Sequence, residues 1–291
     1  MRGLFAIAHY YNDKGGGFYG SLKPDPAPRV AALAGTILGL HHNLSAAQGL
    51  LDGSRRRIVP TNPAIAQQVD VVVCTTGGHH VLDRLAGIAG LFRHHPTAAD
   101  PMRLGFECHD VLRNGLGHYD YYVYLEDDIL LGDPYFFRKL QWFSSNFGDN
   151  CVLQPNRYEL HPLQPLVKLY IDGNLADPSM SEHIQDVREH PRLESEFLGD
   201  RLVFSRVNNP HSGCFFLNSR QMETWAAKPY FLDRDTSFAG PLESAATLGV
   251  TRTFRVYKPA RENAAFLEVH HQGNRYLGAK LKLDPNDLTK F

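Results

Sequence analysis

The segment Tyr119–Asp133 reads Tyr-Asp-Tyr-Tyr-Val-Tyr-Leu-Glu-Asp-Asp-Ile-Leu-Leu-Gly-Asp, and it constrains the fold more than any other stretch of the chain. Tyr121 to Leu125 is an aromatic and β-branched run, the composition of a buried strand. Three carboxylates, Glu126, Asp127 and Asp128, stand at its end, and Ile129-Leu130-Leu131 follows before an Asp133-Pro134 turn. Uncompensated acids between two apolar runs are costly, which makes a plain acid-capped turn the weaker reading. Side chains alternate along an extended chain, so Glu126 and Asp128 project one way and Asp127 the other. Acids at the carboxyl end of a sheet strand can grip a hard cation and, through it, a phosphate. Asp128 and Glu126 are therefore candidate metal ligands.

The rest of the chain is long enough to surround such a strand. With 291 residues, 43% of them hydrophobic, it can form one large α/β domain or two small ones. A net charge of −1 gives no long-range pull toward nucleic acid or an anionic membrane. The four cysteines, Cys74, Cys108, Cys151 and Cys214, contain no C-x-x-C pair and read as reduced thiols of a cytoplasmic protein. No apolar run approaches the ~20 residues of a membrane span, and no signal segment is expected.

Taken in order, Leu4–His9 is a short apolar strand that runs into the polar loop Tyr10-Tyr11-Asn12-Asp13-Lys14-Gly15-Gly16-Gly17. That is how an open α/β sheet presents a nucleotide site, although G-x-G-x-x-G is absent. Apolar residues at helical spacing predict a helix over 29–40, and 69–75 reads as a strand covered on both faces. A helix over 82–92, a loop over 94–102 and a short strand over 104–107 follow. Helices are predicted over 134–147 and 221–226, and another begins at Pro241 and stops at Gly249. Arg55-Arg56-Arg57 reads as solvated surface, with one arginine able to reach a phosphate. Residues 162–203 are mixed and polar and read as an insertion over the site. His270-His271 closes an alternating segment, Glu268-Val269-His270, that fixes the direction of a histidine at a strand end.

Leu125-Glu126-Asp127-Asp128-Ile129, followed by Asp133-Pro134-Tyr135-Phe136-Phe137, resembles the metal-binding segment of GT-A glycosyltransferases. It is most similar to the Glu-Asp-Asp version of the DxD motif in N-acetylglucosaminyltransferase I and its relatives. The close match covers about 20 residues. The resemblance implies a GT-A fold: a Rossmann-like, mixed but mainly parallel sheet flanked by helices. It implies one domain over 1–291, with a nucleotide-binding half over 1–133 and an acceptor-binding half over 134–291. In such enzymes the last acid, here Asp128, binds Mn²⁺ or Mg²⁺, which holds the diphosphate of a nucleotide sugar, and the first acid faces the nucleotide. Glu126 and Asp127 thereby become candidates for the nucleotide sugar as well.

Further roles come with the resemblance. The loop after the first strand receives the base and ribose, so Tyr10 or Tyr11 can stack on a base. Asn12 or Asp13 can bond the ribose or a uracil edge. Arg113, in an Arg-Asn-x-Gly-like segment, is a candidate diphosphate contact; a helix cap with an exposed arginine is the alternative. His211, Ser212 and Gly213 would line the donor sugar. Glu243, an acid at a helix start, is the candidate base toward an acceptor hydroxyl, with Asp233 and Asp235 as rivals. His270 or His271 would complete the metal shell, where imidazole favours Mn²⁺. The N-acetylglucosaminyltransferase I relatives do not generally depend on that histidine. The implied activity is metal-dependent transfer from a UDP-sugar to a hydroxyl of a glycan or other acceptor, with inversion. A retaining transferase, a nucleotidyltransferase and a nucleotide-sugar-binding module are the alternatives.

Overall fold

A computed structural model describes residues 1–16, 19–160, 167–175, 177, 179–273 and 275–276. Gly17 of the glycine loop, residues 162–166, 176 and 178 of the expected insertion, and Asn274 lie outside the described residues. In chain order, β1 (Arg2–Ala8) leads through the glycine loop to α1 (Ala27–Leu44). The hairpin β2 (Gly49–Asp52) and β3 (Arg57–Pro60) precedes β4 (Gln68–Thr76), β5 (Arg93–Thr97) and α2 (Leu104–Asn114). Then come β6 (Tyr121–Glu126), β7 (Ile129–Leu130), α3 (Phe136–Phe147), β8 (Cys151–Leu153), β9 (Asn156–Leu160) and β10 (Lys168–Tyr170). The short α4 (Ser179–Glu182) and the pair β11 (Arg192–Phe197) and β12 (Asp200–Ser205) lead to β13 (Cys214–Asn218). The described chain closes with α5 (Ser219–Ala226), α6 (Pro241–Thr253), β14 (Arg255–Pro259) and β15 (Glu268–His271).

The main sheet has the order β13-β6-β1-β4-β5. β1, β4, β5 and β6 are parallel, and β13 runs antiparallel on the β6 edge. Strand alternation splits its residues between two cores. Phe5, Ile7, Val123 and Leu125 face α1 and α3, whereas Leu4, Ala6, Tyr122 and Tyr124 face α2, α5 and α6. Both faces are covered, which explains the near-continuous apolar composition of β4 and β6. The chain leaves β1 toward β4 and later returns to its other side as β6. The crevice at the carboxyl ends of β1 and β6 is thus the topological switch point of the sheet, where open α/β folds bind ligands.

Two smaller four-stranded sheets accompany the main one. One, β10-β9-β15-β7, hooks the late histidine strand onto the residues after the acids: His271 pairs with Ile129, and the Gln272 amide donates to Asp128 O at 2.9 Å. The other is β11-β12-β14-β8. The four cysteines are buried free thiols, and among the described residues no helix is long and apolar enough to cross a membrane.

Several local expectations need correction. Residues 104–107 are the first turn of α2, not a strand. Leu104, Cys108 and Leu112 recur every fourth residue as one buried stripe, and a Cβ on Gly105 would lie 2.5 Å from Ala245 Cβ. The stripe and the α2–α6 contact override a four-residue apolar run. Gly249 does not stop α6, which continues to Thr253; it makes room for the Trp225 ring, 2.4 Å from a built Cβ. Part of the expected 94–102 loop is instead β5, which extends the parallel sheet. The helix expected over 82–92 is present as a 3₁₀ stretch, Leu82–Leu91, with a kink at Leu85.

Candidate active site

The three acids part at the end of β6 as alternation requires. Asp127 turns inward, where Arg29 of α1 and His9 at the end of β1 both bind it, the His9 Nδ1 contact at 2.5 Å. His9 Nε2 accepts the Val81 amide at 3.1 Å, so Nδ1 carries the proton and donates to Asp127. Burial works against the charge on Asp127, but Arg29 and His9 outweigh it and hold the carboxyl below its usual range. Its backbone carbonyl also accepts the Thr36 hydroxyl, at 3.1 Å. Asp127 therefore staples the acid loop to β1 and α1, its two carboxylate oxygens taken by His9 and Arg29.

Asp128 and Glu126 face the crevice. Asp128 Oδ2 lies 3.8 Å from His271 Nε2 and 3.4 Å from an Arg29 nitrogen. Asp128 Oδ1 is buried and accepts no hydrogen bond among the described residues, a high-cost arrangement for a carboxylate oxygen unless a cation serves it. His271 Nδ1 lies 2.9 Å from Glu159 Oε1, and Glu159 is fully buried. Donation from Nδ1 fixes the tautomer and leaves the Nε2 lone pair turned toward Asp128, the carboxylate–histidine arrangement that supports metal ligands. Burial disfavours the His271 imidazolium, yet the Glu159 bond and the Asp128 charge raise its pKa above the ordinary value. His270, one residue earlier, points to the other side of β15 and stacks on Tyr158, ring centroids 5.1 Å apart. Of the two candidate histidines, only His271 approaches the acids.

Glu126 has a different environment. Its side chain is 18% exposed and lies 3.9 Å from His211 Nε2. Burial, with Asp128 and Glu243 adding to it against the opposing charge of Arg157, pushes its carboxyl up to about 7. Arg157 is buried and donates to Asp172 Oδ1 at 2.9 Å, and Lys258 donates to Asp172 Oδ2 at 2.8 Å. Lys258 also donates to the His211 carbonyl, at 2.5 Å. A buried Arg–Asp–Lys cluster thus forms the floor beneath Glu126 and His211. Burial drives the pKa of His211 well below the ordinary imidazole value, and Nδ1 meets the Thr247 hydroxyl at 3.0 Å.

Gly213 stands against this wall at φ +62, and a Cβ there would lie 2.9 Å from Glu126 Oε2. Its carbonyl accepts the Glu126 amide at 2.9 Å. Ser212, expected near a donor sugar, is wholly buried and donates to Pro155 O at 2.8 Å, so its hydroxyl shapes the β13 turn. Glu243 occupies the first turn of α6 and bends back over Gly240, where a Cβ would lie 2.7 Å from its Oε2.

Four other sequence candidates, Arg113, Tyr11, Asp233 and Asp235, are engaged elsewhere. Arg113 lies in the last turn of α2, paired with Asp110 at 2.6 Å. A helix packed antiparallel to the strands carries that end to the amino edge of the sheet, where Gly115 touches Leu4, so Arg113 is remote from the acids. The Tyr11 hydroxyl donates to the carbonyls of Lys23 and Pro24, and the ring is buried, so Tyr11 anchors the loop and Tyr10 is left beside His79. Asn12 Oδ1 accepts the Lys14 amide at 3.0 Å, and Asp13 is exposed at the loop tip. Asp235 caps the Ser237 amide and pairs with Arg252 at 3.2 Å; Asp233 pairs with Arg252 at 2.9 Å. Both acids are committed to that turn.

Arg29, His9, Arg157 and Glu159 were not singled out for the site by the sequence. Each is a lone polar residue in or beside a helix or strand, and only the tertiary pairing brings it to the acids. Among the described residues no three His, Cys, Asp or Glu side chains already form a ligand cluster. An oxygen from Asp128 and a nitrogen from His271, with one orphaned oxygen, fit the donor preference of a borderline-hard divalent ion such as Mn²⁺.

No family model and no curated protein matches the sequence. Solved structures resemble the fold. The crystal structure of GalNAc-T7 with UDP, GalNAc and Mn²⁺ superposes with a TM-score of 0.50 at 9% identity, over 92% of this chain and 42% of that one. S. aureus TarS gives 0.47 at 8% identity, over 99% and 41%. Mouse xyloside xylosyltransferase 1, in its apo form, gives 0.40 at 11%, over 87% and 82%. This chain therefore spans less than half the length of the first two. The first likeness shows the fold: the mixed, mainly parallel sheet flanked by helices is of the GT-A kind.

Proposed function

We propose that this protein transfers a sugar from a nucleoside-diphosphate sugar, UDP-linked, to a hydroxyl of a glycan or other acceptor, using Mn²⁺ or Mg²⁺. The observation that carries the reading is the meeting of Asp128 with His271 at the switch point of a GT-A-like sheet, with Asp128 Oδ1 buried and unpartnered. Support also comes from the UDP and Mn²⁺ in the GalNAc-T7 structure. Asp128 and His271 would hold the cation, with Glu126 as a third ligand once ionised. When bound, the cation supplies Lewis-acid stabilisation of the departing diphosphate. Glu159 orients His271, and Arg29 fixes the acid loop through Asp127. Tyr10, Asn12 and Asp13 stand where the base and ribose would enter, and the Gly213 backbone lets the sugar approach the wall of the crevice. Glu243, with Asp233 and Asp235 paired elsewhere, is the base that takes the acceptor proton, and transfer inverts the anomeric centre.

The test is UDP release from a panel of UDP-sugars, with and without acceptor glycans. Release should require Mn²⁺ or Mg²⁺ and stop in EDTA. Full turnover in chelator overturns the metal assignment; no release from any nucleotide sugar overturns the transferase.

A further inference from the structure

We propose that the hairpin β2–β3 is a peripheral anchor that seats on an anionic lipid surface. Its two strands pair only with each other, Leu51 opposite Ile58 and Asp52 opposite Arg57, as a two-stranded sheet separate from the rest. Such a ribbon is marginally stable alone in water. Yet it exposes Leu50 at 61%, Leu51 at 75% and Ile58 at 75%, three of the ten exposed large hydrophobics among the described residues, within nine positions. Leu51 and Ile58, opposite each other across the hairpin, share one side of the ribbon, and Leu50 turns to the other; a cross-strand apolar pair this exposed marks an interaction face, whereas single exposed apolar residues need no explanation.

Its charge identifies the partner. Arg55, Arg56 and Arg57 follow the Asp52-Gly53-Ser54 turn, all three exposed, and Arg56 sits at φ +45 in the turn itself. Asp52 pairs loosely with Arg55 at 3.9 Å and Arg57 at 3.6 Å, and it also accepts the Ser54 hydroxyl. The tip thus carries an excess of two positive charges on a chain whose net charge is −1. An exposed aliphatic pair next to three arginines at the hairpin tip matches the two layers of an anionic membrane interface, acyl edge and phosphate. The hairpin has no aromatic ring on which nucleic acid bases could stack.

Its place in the fold leaves the crevice open. The hairpin lies between the last turn of α1 and the first residue of β4, at the amino ends of the strands, where Gln68 pairs with Arg2. The acids stand at the opposite ends of those strands. Anchoring and donor binding are therefore separable.

The test is co-sedimentation with phosphatidylglycerol and with phosphatidylcholine vesicles. Two variants accompany wild type: Arg55→Glu/Arg56→Glu/Arg57→Glu and Leu51→Ser/Ile58→Ser. Wild type should bind the anionic vesicles at low salt and dissociate as salt rises, because exposed charges are screened within a Debye length. The arginine variant should lose at least about 100-fold in partitioning, at roughly five-fold per charge removed. The serine variant should lose about tenfold or more, with melting temperature and Mn²⁺–UDP binding unchanged in both. No binding to phosphatidylglycerol, equal binding to both lipids, or wild-type binding by either variant overturns the proposal. So does a wild-type dimer that the variants break, since the face would then serve a second copy.

Discussion

His271→Ala and His270→Ala, adjacent changes of one residue type, should have different consequences. His271 Nε2 approaches Asp128 Oδ2 to 3.8 Å, while His270 stacks on Tyr158 across the strand. Loss of His271 should weaken Mn²⁺ binding about 10-fold or more, which is ~1.4 kcal/mol. Glu159→Gln keeps an acceptor for Nδ1 but loses its charge, and supporting carboxylates of this kind contribute about 10-fold to metal affinity. Because Glu159 acts through the imidazole, the double variant should bind no more weakly than His271→Ala alone. His270→Ala should cost about 0.5–1.5 kcal/mol of stability through the lost ring contact and leave metal affinity intact. Calorimetric titration of Mn²⁺ into protein saturated with UDP measures the first effect, and thermal melting measures the second. Equal losses from the two histidines, or additive losses from His271 and Glu159, would refute the assignment.

Three further outcomes are expected. In EDTA, Glu126 carries a pKa of about 7 against 4.5 unfolded, so the folded state holds its proton longer and stability falls as pH rises between those values. The loss should reach about 3 kcal/mol, and Glu126→Gln should flatten the curve in chemical denaturation; an unchanged curve refutes the buried acid. Gly213→Ala combines a left-handed backbone with a Cβ 2.9 Å from Glu126 Oε2. It should cost ~1–3 kcal/mol and lower the melting temperature, and a wild-type melting temperature would show that the wall yields freely. Glu243→Gln should retain donor and metal binding, lose ~10²–10⁴ in turnover, and leave a residual product of inverted configuration. A retained configuration, read by product NMR, removes the base role.

The sheet and its acid-bearing strand were legible because β-branched and aromatic runs leave few alternatives, and because alternation alone separates Asp127 from Glu126 and Asp128. Which of the two late histidines turns toward the acids was not legible: that depends on the register of β15 with β7 and β9, which no local pattern carries. Arg113 misled for a similar reason. Its position before β6 is near the acids in sequence, but a full strand length separates the two ends of β6 in space. Arg157, Asp172 and Lys258 come from three separate segments, so their cluster has no sequence signature. Tyr11 and Ser212 are polar residues in the right loops whose hydroxyls are taken by nearby carbonyls, a commitment visible only once the turns are folded.

The most direct test of the metal-held diphosphate is UDP titration with and without Mn²⁺, for wild type and Asp128→Asn. Mn²⁺ should tighten UDP binding to wild type, and Asp128→Asn should abolish that coupling while keeping its melting transition. UDP affinity indifferent to Mn²⁺ in wild type, or full coupling in folded Asp128→Asn, would contradict it.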